Sequence, residues 1–212
     1  MAISDKSKVF LNTSIITVST IAEKILFFVI NVIIARYLNL DHYGEYTTAI
    51  AFASFFSAFT DFGIHQTLIR EISFENEYIK AINHIILLKA VLSVLLYIVF
   101  LTALFFTNYS VHLLYLTIIF GLVRFGDDYL RLYYTYFEAQ DKYLKSSNTR
   151  LLFVFLFLIA TLVVVFFKGG NSHIAWSRLF IIIAFMIILT RSITNLKAFR
   201  INFIYIKSII KK

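Results

Sequence analysis

Six apolar stretches alternate with short polar segments along this 212-residue chain. Each is long enough to cross a bilayer as a helix, since a hydrocarbon core about 30 Å thick takes ~20 helical residues. The stretches fall at about 9–38, 46–69, 84–106, 112–137, 150–168 and 174–194. The longest uninterrupted run is Leu151 to Phe167, where Thr161 is the only polar side chain. The pattern predicts an all-α membrane protein, six transmembrane helices in one bundle over residues 1–194, with little chain left for a soluble domain. In the closing segment, 195–212, Leu196, Phe199, Phe203, Ile206 and Ile210 recur at steps of three and four with Lys and Arg between them. That spacing fits a basic amphipathic helix on the cytoplasmic membrane surface, or a basic connector to a further span.

The polar positions inside the apolar stretches are also periodic. In the first helix Thr13, Thr17, Thr20, Lys24 and Asn31 fall on one face, with Glu23 beside them. The second repeats this with Thr47, Ser54, Ser57, Asp61 and His65. The fourth carries Thr117, Gly121, Arg124, Asp128, Arg131 and Thr135, with Asp127 at the edge. A charge at the bilayer centre costs ~3 kcal/mol on insertion scales, so lipid cannot be its neighbour. Helices one, two and four are therefore expected to wall a polar pathway. Helix five, with no such stripe, is expected to face lipid, and helix six adds Arg178. Arg124 with Asp127 or Asp128, and Asp128 with Arg131, also have spacings suited to helical ion pairs, so a purely structural stapling role stands beside the transport one.

Charge adds orientation. Residues 1–141 hold nine Lys/Arg against twelve Asp/Glu, whereas residues 142–212 hold eleven Lys/Arg and no acid. Six spans put both ends on one side. If that side is the cytoplasm, the inner segments carry thirteen Lys/Arg and the outer loops only Arg36 and Lys168. This is a positive-inside distribution, and it predicts cytoplasmic N and C termini. The basic residues flank apolar spans instead of forming a solvated, aromatic-studded surface, which argues against nucleic acid as a partner. The first helix holds Glu23 and Lys24 and has no small-residue cleavage site, so it is expected to be retained rather than cleaved as a signal peptide. Cysteine and proline are absent. Thiolate chemistry is thereby excluded, and any helix hinge falls to glycine, with Gly121 and Gly126 the foremost candidates.

Enzyme motifs are missing. His42, His65, His84, His112 and His173 are scattered without metal-ligand spacing, and no metal or other cofactor is expected. His65, four residues after Asp61, is placed to hydrogen-bond that carboxylate or to relay a proton with it. The Asp127-Asp128 doublet has no second acidic cluster to make a metal-diphosphate site. No nucleophile elbow, Walker loop or dinucleotide fingerprint occurs, so the chain is not expected to be an enzyme.

The segment ARYLNLDHYGEY, residues 35–46, resembles the A-R-x-L-G-x-x-x-Y-G-x-Y signature of the polysaccharide-exporter and O-antigen flippase family. FFSAFTDFGIHQTLIREIS, residues 55–73, resembles the aromatic run, Asp-Phe-Gly element and basic-acidic turn that follow it in that family. The resemblance implies a flippase of the multidrug/oligosaccharidyl-lipid/polysaccharide exporter superfamily, which moves undecaprenyl-pyrophosphate-linked oligosaccharide across the membrane by alternating access of two lobes. It implies that Lys24, Arg124 and Arg178, with Asp128 and Arg131, line the substrate site, and that Glu23, Asp61 and His65 supply a polar or coupling-ion cavity. Arg36 and Gly44 would shape the first loop, with Tyr43 and Tyr46 as interfacial anchors. Asn39 stands where the signature has Gly, and neighbouring Pro is missing. The six spans correspond to the N-terminal lobe of a family whose members have twelve or more, so a second lobe, a homodimer or a longer original gene is expected, with a truncated or split gene favoured.

Two other functions are compatible with these residues. One is a cation-coupled exporter of small molecules, with Asp61 or Glu23 binding the coupling ion. The other is an accessory membrane subunit whose charged stripes bind partner helices. Sodium- or proton-dependent efflux without loss of surface polysaccharide would mark the first, and stable copurification with another polytopic protein the second.

Overall fold

A computed structural model describes the backbone of residues 2–57, 59 and 78–193, and side chains over 10–55, 59 and 89–191. The described residues form six α-helices and no strand: α1 Ala2–Tyr37, α2 Leu40–Ser57, α3 Tyr78–Phe105, α4 Val111–Ala139, α5 Tyr143–Phe166 and α6 Asn171–Ile193. Three of them are long and apolar enough to cross a membrane, within Phe10–Tyr37, Tyr143–Phe166 and Asn171–Arg191, and Lys89–Phe105 is a shorter apolar stretch. The tail at 195–212 lies outside the described residues.

The helices begin earlier than hydropathy alone suggests, because polar caps and charged first turns extend them beyond the apolar run. α2 starts at Leu40 rather than 46, and Asn39 explains why. Its Oδ1 accepts the His42 amide at 2.9 Å, as an N-cap does, so the departure from the signature glycine still serves a helix start. α4 starts behind Ser110, whose hydroxyl accepts the Leu113 amide at 3.2 Å. α5 starts at Tyr143 rather than 150, which places Arg150 two turns inside the helix. It ends at Phe166, capped by Phe167, and Lys168 beyond it takes the left-handed region (φ 54°), after which the Gly169 amide returns to the Val164 carbonyl at 2.8 Å.

α4 is the central helix, packing against α2, α3, α5 and α6. It buries Leu116, Phe120, Val123, Leu130, Leu132, Tyr133 and Phe137 along most of its circumference. α1 packs on α5, where buried Ser19 and Ser147 meet hydroxyl to hydroxyl at 2.9 Å, small side chains that let two helices approach closely. Ile30, Ile34 and Leu38 continue that buried edge every fourth residue. The outward surface is apolar: Ile21, Ile25 and Phe28 on α1 and Leu152, Phe155, Ile159 and Phe166 on α5 are exposed. An exterior of this kind is suited to lipid rather than water.

Gly121 and Gly126 do not hinge α4, which runs unbroken through both. They are sites of close approach. A Cβ on Gly121 would fall 2.7 Å from the Phe100 ring, and one on Gly126 would overlap the Cγ2 of Ile182 on α6. Tight packing of α3 and α6 onto α4, not bending, accounts for these two glycines.

Candidate functional site: a charged cleft among α1, α2, α4, α5 and α6

The charged stripes converge on one cleft of about 690 Å³. From α1 come Thr20, Glu23, Lys24 and Asn31, each on the same face because their spacing follows the helical repeat. From α4 come Arg124, Asp127, Asp128 and Arg131, and from α6 comes Arg178. Phe27, Tyr46, Ile50, Tyr134, Phe153 and Phe157 supply the apolar and aromatic parts of the wall.

Asp127 is the electrostatic centre of one half. Arg178 donates from Nη2 to its Oδ2 at 2.7 Å, and Arg124 Nη1 lies 3.9 Å from the same oxygen. Arg178 is buried, and its guanidinium lies over Phe27 at 5.4 Å and Phe157 at 5.2 Å from the ring centroids. Stacking of this kind suits the flat guanidinium in a way an ammonium cannot match. The site thus holds two cations against one carboxylate.

The other half is organised by Arg150, a basic residue at the edge of an apolar stretch. Its Nη2 donates to Glu138 Oε1 at 2.9 Å, its Nη1 lies 3.7 Å from Glu23 Oε2, and the same nitrogen donates to Thr20 Oγ1 at 3.3 Å. Glu138 also accepts from Ser146 at 2.7 Å, and the Arg150 guanidinium lies over the Tyr134 ring at 5.0 Å. Here one cation meets two carboxylates. Helix five is consequently part of the cleft wall as well as of the apolar exterior, a correction to its expected role as a lipid-facing support.

With Arg150 included, the described lining carries five cations, Lys24, Arg124, Arg131, Arg150 and Arg178, against three carboxylates, Glu23, Asp127 and Asp128. Arg150 is further matched by Glu138 beside that lining, so among the described residues the cleft and its rim hold five cations against four carboxylates. Three buried donors in its wall, Arg150 Nε, Arg178 Nε and the Tyr134 hydroxyl, have no hydrogen-bond partner among the described residues. Such a surface offers charge and N–H or O–H groups to an anionic or hydroxyl-rich molecule.

Of the stripe expected on the second helix, the described members Thr47 and Ser54 are not among the residues that line this cleft. Thr47 is exposed and bonds back to the carbonyls of Tyr43 and Gly44, and Ser54 bonds back to Ile50. α2 contributes Tyr46 and Ile50 instead. Asp61 and His65 lie outside the described residues. On α1, Thr13 and Thr17 are exposed beyond the cleft, so only part of that stripe lines it. Asp128 offers its backbone carbonyl to the Nζ of fully buried Lys89 at 3.1 Å, a contact that joins α3 to α4.

The chain matches the family described as polysaccharide biosynthesis protein over residues 9–212. No curated protein and no solved structure matches it. A match spanning nearly the whole chain, on an all-helical architecture with apolar membrane-length helices around a charged cleft, makes this membrane protein a member of the polysaccharide biosynthesis protein family.

Proposed function

We propose that the chain is a flippase, or the N-terminal lobe of one, that carries undecaprenyl-pyrophosphate-linked oligosaccharide across a bacterial inner membrane for surface polysaccharide synthesis. The observation that carries this reading is the gathering of five cations from α1, α4, α5 and α6 into one cleft within an apolar exterior. A pyrophosphate is met by guanidinium groups, which match phosphate oxygens in geometry and charge. Sugars are met by Thr20, Asn31 and the aromatic walls, and the prenyl chain stays in lipid.

In this reading all six helices span the membrane with both ends cytoplasmic. Helix α4 spans in spite of its charges because they face the cleft and one another. A second lobe, on another chain or in a second copy, completes the pathway, since alternating access requires two bodies that rock about a shared site. The protein acts as a carrier, not an enzyme.

Deletion of the gene should cause lipid-linked glycan to accumulate in the inner leaflet, and the intact gene should clear it. Lys24→Ala and Arg124→Ala should each impair clearance at normal protein levels. Unimpaired clearance in both would leave the cleft's charges a structural role only.

A further inference from the structure

The end of the bundle where α2, α4 and α6 begin carries a second polar cluster, separate from the cleft. Glu45 Oε2 collects three groups from three helices: His112 Nδ1 at 2.9 Å, Asn171 Nδ2 at 3.1 Å and His42 Nδ1 at 3.3 Å. Asn171 is buried and also reaches the His42 carbonyl at 3.4 Å, and His112 Nε2 lies 3.3 Å from Ser172 Oγ. We propose that Glu45, His42 and His112 form a proton-sensitive latch that ties the first turns of α2, α4 and α6 together.

The chemistry follows from which nitrogen faces the carboxylate. Both rings present Nδ1 to the same oxygen, so both bonds require a proton on Nδ1. A neutral imidazole carries one there in only one of its two tautomers, whereas an imidazolium always does and adds a positive charge. Histidine changes charge between about pH 5 and 8, so acidification across that range strengthens the tie. The two ring centroids are 6.1 Å apart, farther from each other than either Nδ1 is from Glu45, so attraction to the carboxylate outweighs repulsion between the rings. Burial raises the Glu45 carboxyl, but the bonds from His42, Asn171 and His112 outweigh it and hold the group below the usual range. The carboxylate therefore stays ionised while the histidines gain protons.

Among the described residues, the other charged groups at this end are Arg36 on α1, Asp41 on α2, Lys168 after α5, and His173 on α6, whose Nδ1 accepts the Gly170 amide at 3.2 Å. Tyr37 pins the adjoining turn by donating to the Gly169 carbonyl at 2.9 Å, a bond without a titrating acceptor. Glu45 adjoins Tyr46 of the cleft wall, and Asn171 lies two turns before Arg178. The latch thus sets the spacing of helices that also wall the cleft.

The absence of cysteine allows a direct test with spin labels on Leu40→Cys and Val111→Cys, two exposed positions at the rim of the latch on α2 and α4. In the full chain in lipid nanodiscs, lowering the pH from about 8 to about 6 should raise the ratio of the short to the long label separation roughly three- to tenfold. Glu45→Gln and the pair His42→Ala with His112→Ala should abolish the response. An unchanged distance distribution, or a response that persists in Glu45→Gln, would overturn the proposal. Hydrogen exchange of the unlabelled, unsubstituted chain gives an independent reading. After correction for intrinsic rates, amides at 111–115 and 171–175 should be better protected at the lower pH, and equal protection would equally overturn it.

Discussion

Arg178 and Asp127, fifty-one residues apart, face each other at 2.7 Å across α6 and α4, and the guanidinium that makes this contact lies over the rings of Phe27 and Phe157. Removing one member of a largely buried pair leaves the other's charge uncompensated, at a cost of about 3–5 kcal/mol in well-buried cases. Asp127 retains Arg124 at 3.9 Å, so Arg178→Ala is expected to cost somewhat less, about 2–4 kcal/mol. Arg124→Ala should cost less again, because Arg124 is the more exposed and the more distant partner. Unfolding in mixed detergent micelles would rank the two, and a double-mutant cycle of Arg178→Ala with Asp127→Ala should show strong non-additivity. Simple addition of the single effects would disprove the coupling.

Gly126 is a packing site, so Gly126→Ala should destabilise the bundle by about 1–3 kcal/mol through its collision with Ile182. In an Ile182→Ala background the cost of Gly126→Ala should shrink, since the Cγ2 that the new methyl meets is gone. Gly44, with open space around its missing Cβ, should tolerate Ala and gain up to about 1 kcal/mol from helix propensity. Thermal unfolding of Gly126→Ala, Ile182→Ala, their double variant and Gly44→Ala separates these outcomes.

Arg150 joins α1, α4 and α5 through one planar group. Arg150→Lys keeps the charge but cannot reach Glu138 and Glu23 from two separate nitrogens. It should therefore lose most of what Arg150→Ala loses. Equal stability of Arg150→Lys and the unsubstituted chain would show that charge alone is sufficient there.

Glu45 makes acid stability predictable in sign. Its carboxyl is held below the usual range despite burial, by hydrogen bonds from His42, Asn171 and His112. A depressed folded-state value means that the carboxylate's own share of the stabilisation is present above about pH 4.3, the ordinary glutamate value, and is lost as pH falls through the lower folded one. Melting temperatures measured across about pH 6 to 3 should fall more steeply for the unsubstituted chain than for Glu45→Gln. Parallel curves would contradict this.

Much of the cleft was legible because membrane burial turns a polar side chain inside an apolar run into a directional signal. Thr20, Lys24 and Asn31 on α1, and Arg124, Asp128 and Arg131 on α4, could be grouped by the helical repeat alone, and they share one cleft. Arg150 could not, because it stands immediately before the longest apolar run, where a basic residue ordinarily marks the cytoplasmic boundary. Its partners Glu138 and Glu23 lie on other helices, at separations no periodicity reports. The Glu45 cluster was illegible for a related reason. His42, His112 and Asn171 look scattered in the chain, and they meet because alternate helices of an up-and-down bundle begin at the same end. Gly121 and Gly126 were read as hinges because sequence shows only that a side chain is missing, and not what fills its place.

The guanidinium groups around Asp127 and the one beside Glu23 are already engaged with carboxylates of the protein itself. An arriving anion would therefore have to swap places with a resident acid, and on its departure that acid would resume the contact. The net gain on capture is then smaller than the number of guanidinium groups suggests, because each resident contact is given up when the anion binds. A tightly gripping site would trap its guest, whereas one built on such exchange favours turnover over retention.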